Sequence, residues 1–196
     1  MPLRALQRQI RRRDEFKFLR TWLEKPLSVG AVAPSSKHLA RLMATYVDPA
    51  VAGPVVELGP GTGPVTEALV ERGIDPARLV LVEFDPDFCA LLRQRYPAAN
   101  VVQGDAYNLQ DTLGGVLTQP VAAFVSGLPL FNKPLKNRLE LLSQAFGLMR
   151  PDAPFVQFTY NAVSPIPRSH EGVRFEASGR VWRNLPPARV WIYRKA

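Results

Sequence analysis

The sequence predicts an α/β domain built on a mostly parallel seven-stranded sheet that is closed by an antiparallel hairpin. Three observations predict it. Residues 54–160 alternate short apolar runs with helical patterns, the signature of parallel strands joined by crossover helices. Gly, Pro, Asp or Asn punctuates nearly every junction. The 196 residues are 46% hydrophobic and 21% charged, enough to bury one sizeable core.

Taken in order, strands are expected near 54–59, 79–85, 100–105, 121–127 and 154–160. Helices are expected between them near 63–73, 86–95, 107–116 and 134–149. From Ser178 to Lys195 the strand formers Val181, Trp182, Val190, Trp191, Ile192 and Tyr193 flank Asn184-Leu185-Pro186-Pro187-Ala188, which predicts the closing hairpin. Ahead of the core, Leu3, Leu6 and Ile10 lie opposite Arg4, Arg8, Arg11 and Arg12 on a helical wheel, and Phe16, Phe18, Leu19, Trp22 and Leu23 gather on another side. We therefore divide the chain into a basic amphipathic helix over 1–25 and a catalytic domain over 26–196.

Charge supports that division. The chain has 25 Lys and Arg against 17 Asp and Glu, a formal charge of +8. Residues 1–41 hold ten basic and three acidic side chains, 42–160 hold eight and twelve, and 161–196 hold seven and two. A slightly acidic centre between basic ends fits a catalytic core with a device for anionic surfaces, either lipid or nucleic acid. No apolar run is long enough to span a bilayer, and none forms a secretory signal behind the basic start, so membrane contact is expected to be peripheral. The lone Cys89 sits on an apolar helix face and reads as a core thiol in a reducing compartment. His38 and His170 stand apart from any ligand cluster, so no metal is expected.

The strongest motif is Val55-Val56-Glu57-Leu58-Gly59-Pro60-Gly61-Thr62-Gly63, an apolar strand running into a glycine turn at the start of a helix. Glycine lets the backbone turn sharply and approach a ligand closely. A dinucleotide fingerprint wants a glycine three positions after Gly61, where Pro64 stands, and Glu57 would repel a pyrophosphate. A carboxylate there suits a ligand with an ammonium group. Glu83 ends the second strand and Asp105-Ala106 follows the third, so acids recur at three successive strand ends.

In these residues the sequence resembles the class I S-adenosylmethionine-dependent methyltransferases, which share a Rossmann-like fold. The resemblance implies that Glu57 and the turn of Gly59, Gly61 and Gly63 hold the methionine moiety, that Glu83 accepts from the ribose hydroxyls, and that Asp105 and Ala106 lie at the adenine. It places Ser35, Ser36 and Ser126 in the same cofactor site.

After the fourth strand, Ser126-Gly127-Leu128-Pro129-Leu130-Phe131-Asn132 stands where amino-methylating relatives carry a motif beside the transferred methyl. Adenine methylases begin it with Asn or Asp and end it with an aromatic that stacks the base. Here Ser126 and Leu130 replace those residues, Ser126 is a catalytic candidate alongside Tyr160, and no helical RNA-binding extension is expected after the core. Four features make the whole chain similar to the bacterial phospholipid N-methyltransferases: the basic start, Val29-Gly30-Ala31-Val32-Ala33-Pro34-Ser35-Ser36, the Ser126–Phe131 motif, and the terminal Trp182–Trp191 segment. That resemblance implies stepwise methylation of phosphatidylethanolamine towards phosphatidylcholine on the inner face of the cell membrane.

A primary ammonium titrates near ~10 and must lose a proton before it attacks. Tyr160, at the end of the fifth strand, is the candidate to hydrogen-bond the amine or a lipid phosphate, with a ring buried in the core as the equal alternative. Burial of the amine alone can also remove the need for a base. Lys133, Arg168, Arg174, Arg180 and Arg183 are candidates for the phosphate, Arg180 first among them, and Arg4, Arg8, Arg11 and Arg12 for the anionic surface. Two rival readings remain: an RNA adenine dimethyltransferase, and a membrane-binding or remodelling protein with an inactive core.

Overall fold

All five apolar runs of the 54–160 region become parallel strands. The computed structural model describes residues 37–184 and 186–196, which lie in one compact unit. The predicted helix over 1–25 with Arg4, Arg8, Arg11 and Arg12, and the 29–36 segment with Ser35 and Ser36, lie outside the described residues.

The strands are β1 (Val55–Leu58), β2 (Leu79–Glu83), β3 (Asn100–Gln103), β4 (Ala123–Ser126), β5 (Phe155–Thr159), β6 (Val173–Val181) and β7 (Ala188–Lys195). They form one sheet in the order β3-β2-β1-β4-β5-β7-β6, and β7 runs antiparallel to β5 and β6. The chain moves outward from β1 through β2 to β3, then returns to β4 on the other side of β1. This reversal opens a crevice at the carboxyl ends of β1 and β4, where ligands of such sheets bind.

Helices cover both faces, which explains why the central strands are apolar throughout rather than alternating. On one face α1 (Lys37–Thr45), α2 (Pro64–Glu71) and α3 (Pro86–Arg95) bury Leu39, Met43, Leu69 and Leu92 against Val55, Leu79 and Leu81. On the other, α4 (Leu109–Leu113) and α5 (Leu135–Leu148) bury Leu109, Leu141 and Leu142 against Val56, Phe124 and Phe155. Helix α1 was not anticipated, although Leu39, Leu42, Met43 and Tyr46 have its spacing. Cys89 is buried, and burial pushes its thiol up to about 11, in keeping with an inert core role.

The hairpin differs from expectation in one respect that matters. Strand β6 begins at Val173 rather than at Ser178, because Val173 and Phe175 alternate with Arg174 and Glu176 and pack on the second core. Phe175 meets Tyr193 edge-on at 5.6 Å between centroids. Arg180 therefore stands near the end of β6, at the carboxyl edge of the sheet, instead of beginning the hairpin. Arg174 lies at the opposite edge, ion-paired with Asp152, so it is no candidate for a ligand at the crevice.

Candidate cofactor and acceptor site

The glycine turn is built by backbone conformations that side chains resist. Gly59, Gly61 and Gly63 have φ of +68°, +57° and +85°. The turn is pinned from all sides. Gly59 N donates to Val82 O at 2.9 Å, Arg95 Nη1 donates to Thr62 O at 2.5 Å, and the Tyr96 hydroxyl donates to Gly63 O at 3.4 Å.

Glu57 is 2% exposed, on the face covered by α1–α3, and accepts from the Thr66 hydroxyl of α2 at 2.7 Å. Burial drives its carboxyl up to about 8, partly offset by the Thr66 hydrogen bond and reinforced by the charge of Glu83. A buried carboxyl with one hydroxyl for company and no cation among the described residues fits an ammonium ligand. Thr66 was not singled out in the sequence. Its signal is its place on the first helical turn after the glycines, facing the acid.

Glu83 accepts from three backbone N–H groups: Gly61 at 3.0 Å on Oε2, and Phe84 at 2.8 Å and Asp85 at 3.0 Å on Oε1. It thus clasps the turn to the β2 end, and burial raises its pKa against the pull of those N–H groups. Three of about four lone-pair sites are occupied, so the carboxylate acts first as a structural clasp. Asp105 accepts from Tyr107 N at 2.9 Å, its carbonyl accepts from Thr112 at 3.0 Å, and Ala106 beside it is buried. Glu57 near the end of β1, Glu83 at the end of β2 and Asp105 just after β3 thus stand at the carboxyl ends of three successive strands.

The acceptor loop lies directly against this turn. Ser126 ends β4, is fully buried, and accepts from Leu128 N at 3.3 Å, so its hydroxyl shapes the loop. A Cβ on Gly127 would sit 2.8 Å from Gly59 O, and one on Gly59 would sit 3.0 Å from Leu128 Cδ2. The two loops are therefore in close contact.

Tyr160 takes the core alternative. Its ring packs on the first core, edge-on to Phe158 at 5.4 Å, and burial pushes its hydroxyl up to about 12. It stays a phenol at neutral pH. Among the phosphate candidates, Lys133 lies 5.3 Å from the Tyr107 ring, Arg168 lies 5.9 Å from the Trp191 ring, and Arg180 lies 5.7 Å from the Trp182 ring. Arg183 Nη1 is 3.3 Å from His38 Nε2. The sequence reading did not single out the fully buried Gln157, although a glutamine inside the apolar run Phe155-Val156-Gln157-Phe158 is itself a signal.

Comparison with known proteins agrees with this geometry. Residues 36–114 match the family described as ribosomal RNA adenine dimethylase. The ornithine lipid N-methyltransferase of Singulisphaera acidiphila is 32% identical over 193 residues, covering 93% of this chain and 96% of that protein. A ribosomal RNA small subunit methyltransferase A of Synechococcus is 31% identical over 159 residues, and this chain spans 53% of its length. An O-methyltransferase from Bacillus cereus in complex with S-adenosylhomocysteine shares the fold, with a TM-score of 0.59 and 14% identity over 92% of this chain and 89% of that one. The chain thus belongs to the class I S-adenosylmethionine-dependent methyltransferases, in one family with the Singulisphaera enzyme.

Proposed function

We propose that this enzyme works at a membrane surface and methylates the primary amine of a lipid headgroup, taking phosphatidylethanolamine and its mono- and dimethyl derivatives towards phosphatidylcholine. One observation carries the membrane reading. Four large hydrophobic side chains are exposed among the described residues: Val51, Leu135, Val163 and Trp182. The last three lie in connections that leave the carboxyl edge of β4, β5 and β6, the edge that holds the site. Trp182 is 72% exposed with the Arg180 guanidinium over its ring, and Arg183 follows it. An aromatic with flanking arginines suits the boundary between headgroups and acyl chains. Among the described residues no helix is long and apolar enough to cross a membrane. In this reading the enzyme lies peripherally on the anionic inner leaflet, with Arg4, Arg8, Arg11 and Arg12 adding charge.

S-adenosylmethionine, when bound, supplies a methyl already activated on a sulfonium, so the protein's task is positioning. Glu57 balances the ammonium of the cofactor, the glycine turn admits its backbone, and the 126–131 loop forms the wall on the acceptor side. Burial there disfavours the charged amine and lowers the cost of its deprotonation.

The Singulisphaera relative is named for another amine-bearing lipid, which supports the substrate class. The match to the ribosomal RNA family model ends at residue 114, before the acceptor loop, and this chain spans only 53% of the Synechococcus ribosomal RNA enzyme against 96% of the lipid enzyme. The deciding experiment supplies labelled S-adenosylmethionine to anionic liposomes containing phosphatidylethanolamine or ornithine lipid, with ribosomal RNA in parallel. Label in phosphatidylethanolamine supports the proposal, label in ornithine lipid alone replaces its substrate, and label in RNA alone overturns it.

A further inference from the structure

Three buried polar atoms on the adjoining strands β5 and β7 have no hydrogen-bond partner among the described residues: Gln157 Oε1, Trp191 Nε1 and Arg189 Nε. In the β5/β7 ladder Gln157 stands opposite Trp191, and in the β6/β7 ladder Arg189 stands opposite Arg180. Directly opposed residues project to the same face, and here that face is the second core, where Trp191 and Tyr193 lie. Arg180 reaches it through an irregularity. The register of β6 shifts between Ala177 and Arg180, so this even-numbered residue joins the odd-numbered Val173 and Phe175.

The chemistry of the cluster is complementary at its two ends. Gln157 Nε2 donates to Leu128 O at 3.0 Å and to Phe158 O at 2.7 Å. Only the amino end of an amide can serve two carbonyls, so its orientation is fixed and Oε1 is the end left as a buried acceptor beside the acceptor loop. Arg180 and Arg189, like charges directly opposed, repel one another. Neither they nor Arg168 meet a carboxylate among the described residues, and the Arg168 and Arg189 guanidinium groups lie 5.9 and 5.6 Å from the Trp191 ring centroid. Buried groups are normally satisfied. Here the buried Gln157 Oε1 awaits a donor and the buried Trp191 Nε1 and Arg189 Nε await an acceptor, while Arg180 and Arg168 are exposed.

We propose that Gln157, Trp191, Arg189 and Arg180 bind a small zwitterionic headgroup, its amine N–H donating to Gln157 Oε1 and its phosphate or carboxylate accepting from Trp191 Nε1 and the two guanidinium groups. This rests on the lipid-amine reading and states where the headgroup sits. Gln157 takes no proton; it orients the amine by holding an N–H. A neutral dimethylated amine has no N–H, so Gln157 assists the first two methyl transfers and is idle in the third.

The test uses the full-length ¹⁵N-labelled protein with S-adenosylhomocysteine and follows the Trp191 indole N–H signal, assigned through Trp191→Phe. The probes are sn-glycero-3-phosphoethanolamine, its mono-, di- and trimethyl forms, and Nα-acetylornithine, which carries a carboxylate in place of the phosphate. The signal is expected to move downfield, with affinity falling roughly three- to tenfold from the primary amine to the trimethyl form, the worth of one hydrogen bond. Gln157→Met should abolish that preference and slow methylation of the primary amine while sparing the dimethyl lipid; a merely structural role would slow both alike. Arg189→Met should weaken every probe. The probe that moves the signal identifies the anion. If Gln157→Met does not fold, the wild-type series still decides, since equal affinity along it overturns the amine end. Lipid methylation with Trp191 unmoved by any probe overturns the headgroup site and leaves the function standing, whereas failure to methylate any lipid amine overturns the function itself.

Discussion

Gly127 and Gly59 touch through their backbones: a Cβ at 127 would lie 2.8 Å from the Gly59 carbonyl oxygen. Gly127 N also donates to Leu58 O at 2.8 Å, so the loop cannot retreat without losing a hydrogen bond. Gly127→Ala is expected to cost about 1–3 kcal/mol of stability through overpacking. It should also weaken S-adenosylhomocysteine binding at least tenfold in calorimetry, because the displaced partner is the cofactor turn. Wild-type affinity in the folded variant would show that the two loops are not coupled.

Glu57 gives a pH dependence with a definite sign. Its folded pKa is raised to about 8, while the unfolded value is near ~4.3. Between these values the folded state holds the extra proton, so its contribution to stability falls as pH rises across that window. Urea unfolding of Glu57→Gln should lose this slope, gaining on the wild type at pH 8 relative to pH 5.

The same carboxyl should ionise when an ammonium is placed beside it. Cofactor binding at pH 7 is then expected to release close to one proton, about 0.9 for a group of pKa near 8. Calorimetry in buffers of different ionisation enthalpy measures this directly. Glu57→Gln should bind at least a hundredfold more weakly with no release; proton uptake, or none in the wild type, contradicts the assignment.

Tyr160, with its hydroxyl held up to about 12, should leave the pH profile of methylation untouched below pH 10. Tyr160→Phe is expected to keep the alkaline limb of that profile and to lose about 1 kcal/mol of stability. An alkaline limb that shifts in the variant would make the hydroxyl a proton acceptor after all.

Trp182 and the basic first segment should act together on vesicles. Trp182→Ser, at a 72% exposed site, should change stability by less than about 0.5 kcal/mol yet reduce sedimentation with anionic liposomes. Deleting residues 2–24 should reduce it further and flatten its dependence on salt. Unchanged sedimentation in both variants would remove the membrane assignment.

Much of this protein was legible in the sequence because its signals are local. The glycine spacing, the acid two residues before it and the apolar runs each reflect what a short stretch of backbone can do, so the parallel strands and the cofactor turn follow from them. What only the tertiary structure decided is which distant groups meet. Thr66 reaches Glu57 because α2 packs back over β1, and Glu83 clasps Gly61 because β2 lies beside β1. Arg180 joins Arg189 through a register shift in β6, and Arg174 leaves the site because that strand begins five residues earlier than its composition suggested. Above all, Gln157 faces Trp191 only through antiparallel pairing across 34 residues of chain, and its free oxygen follows from two carbonyls that folding alone brings to its other end. Periodicity reports the face a residue occupies, whereas pairing register, set by the packed whole, determines what shares that face.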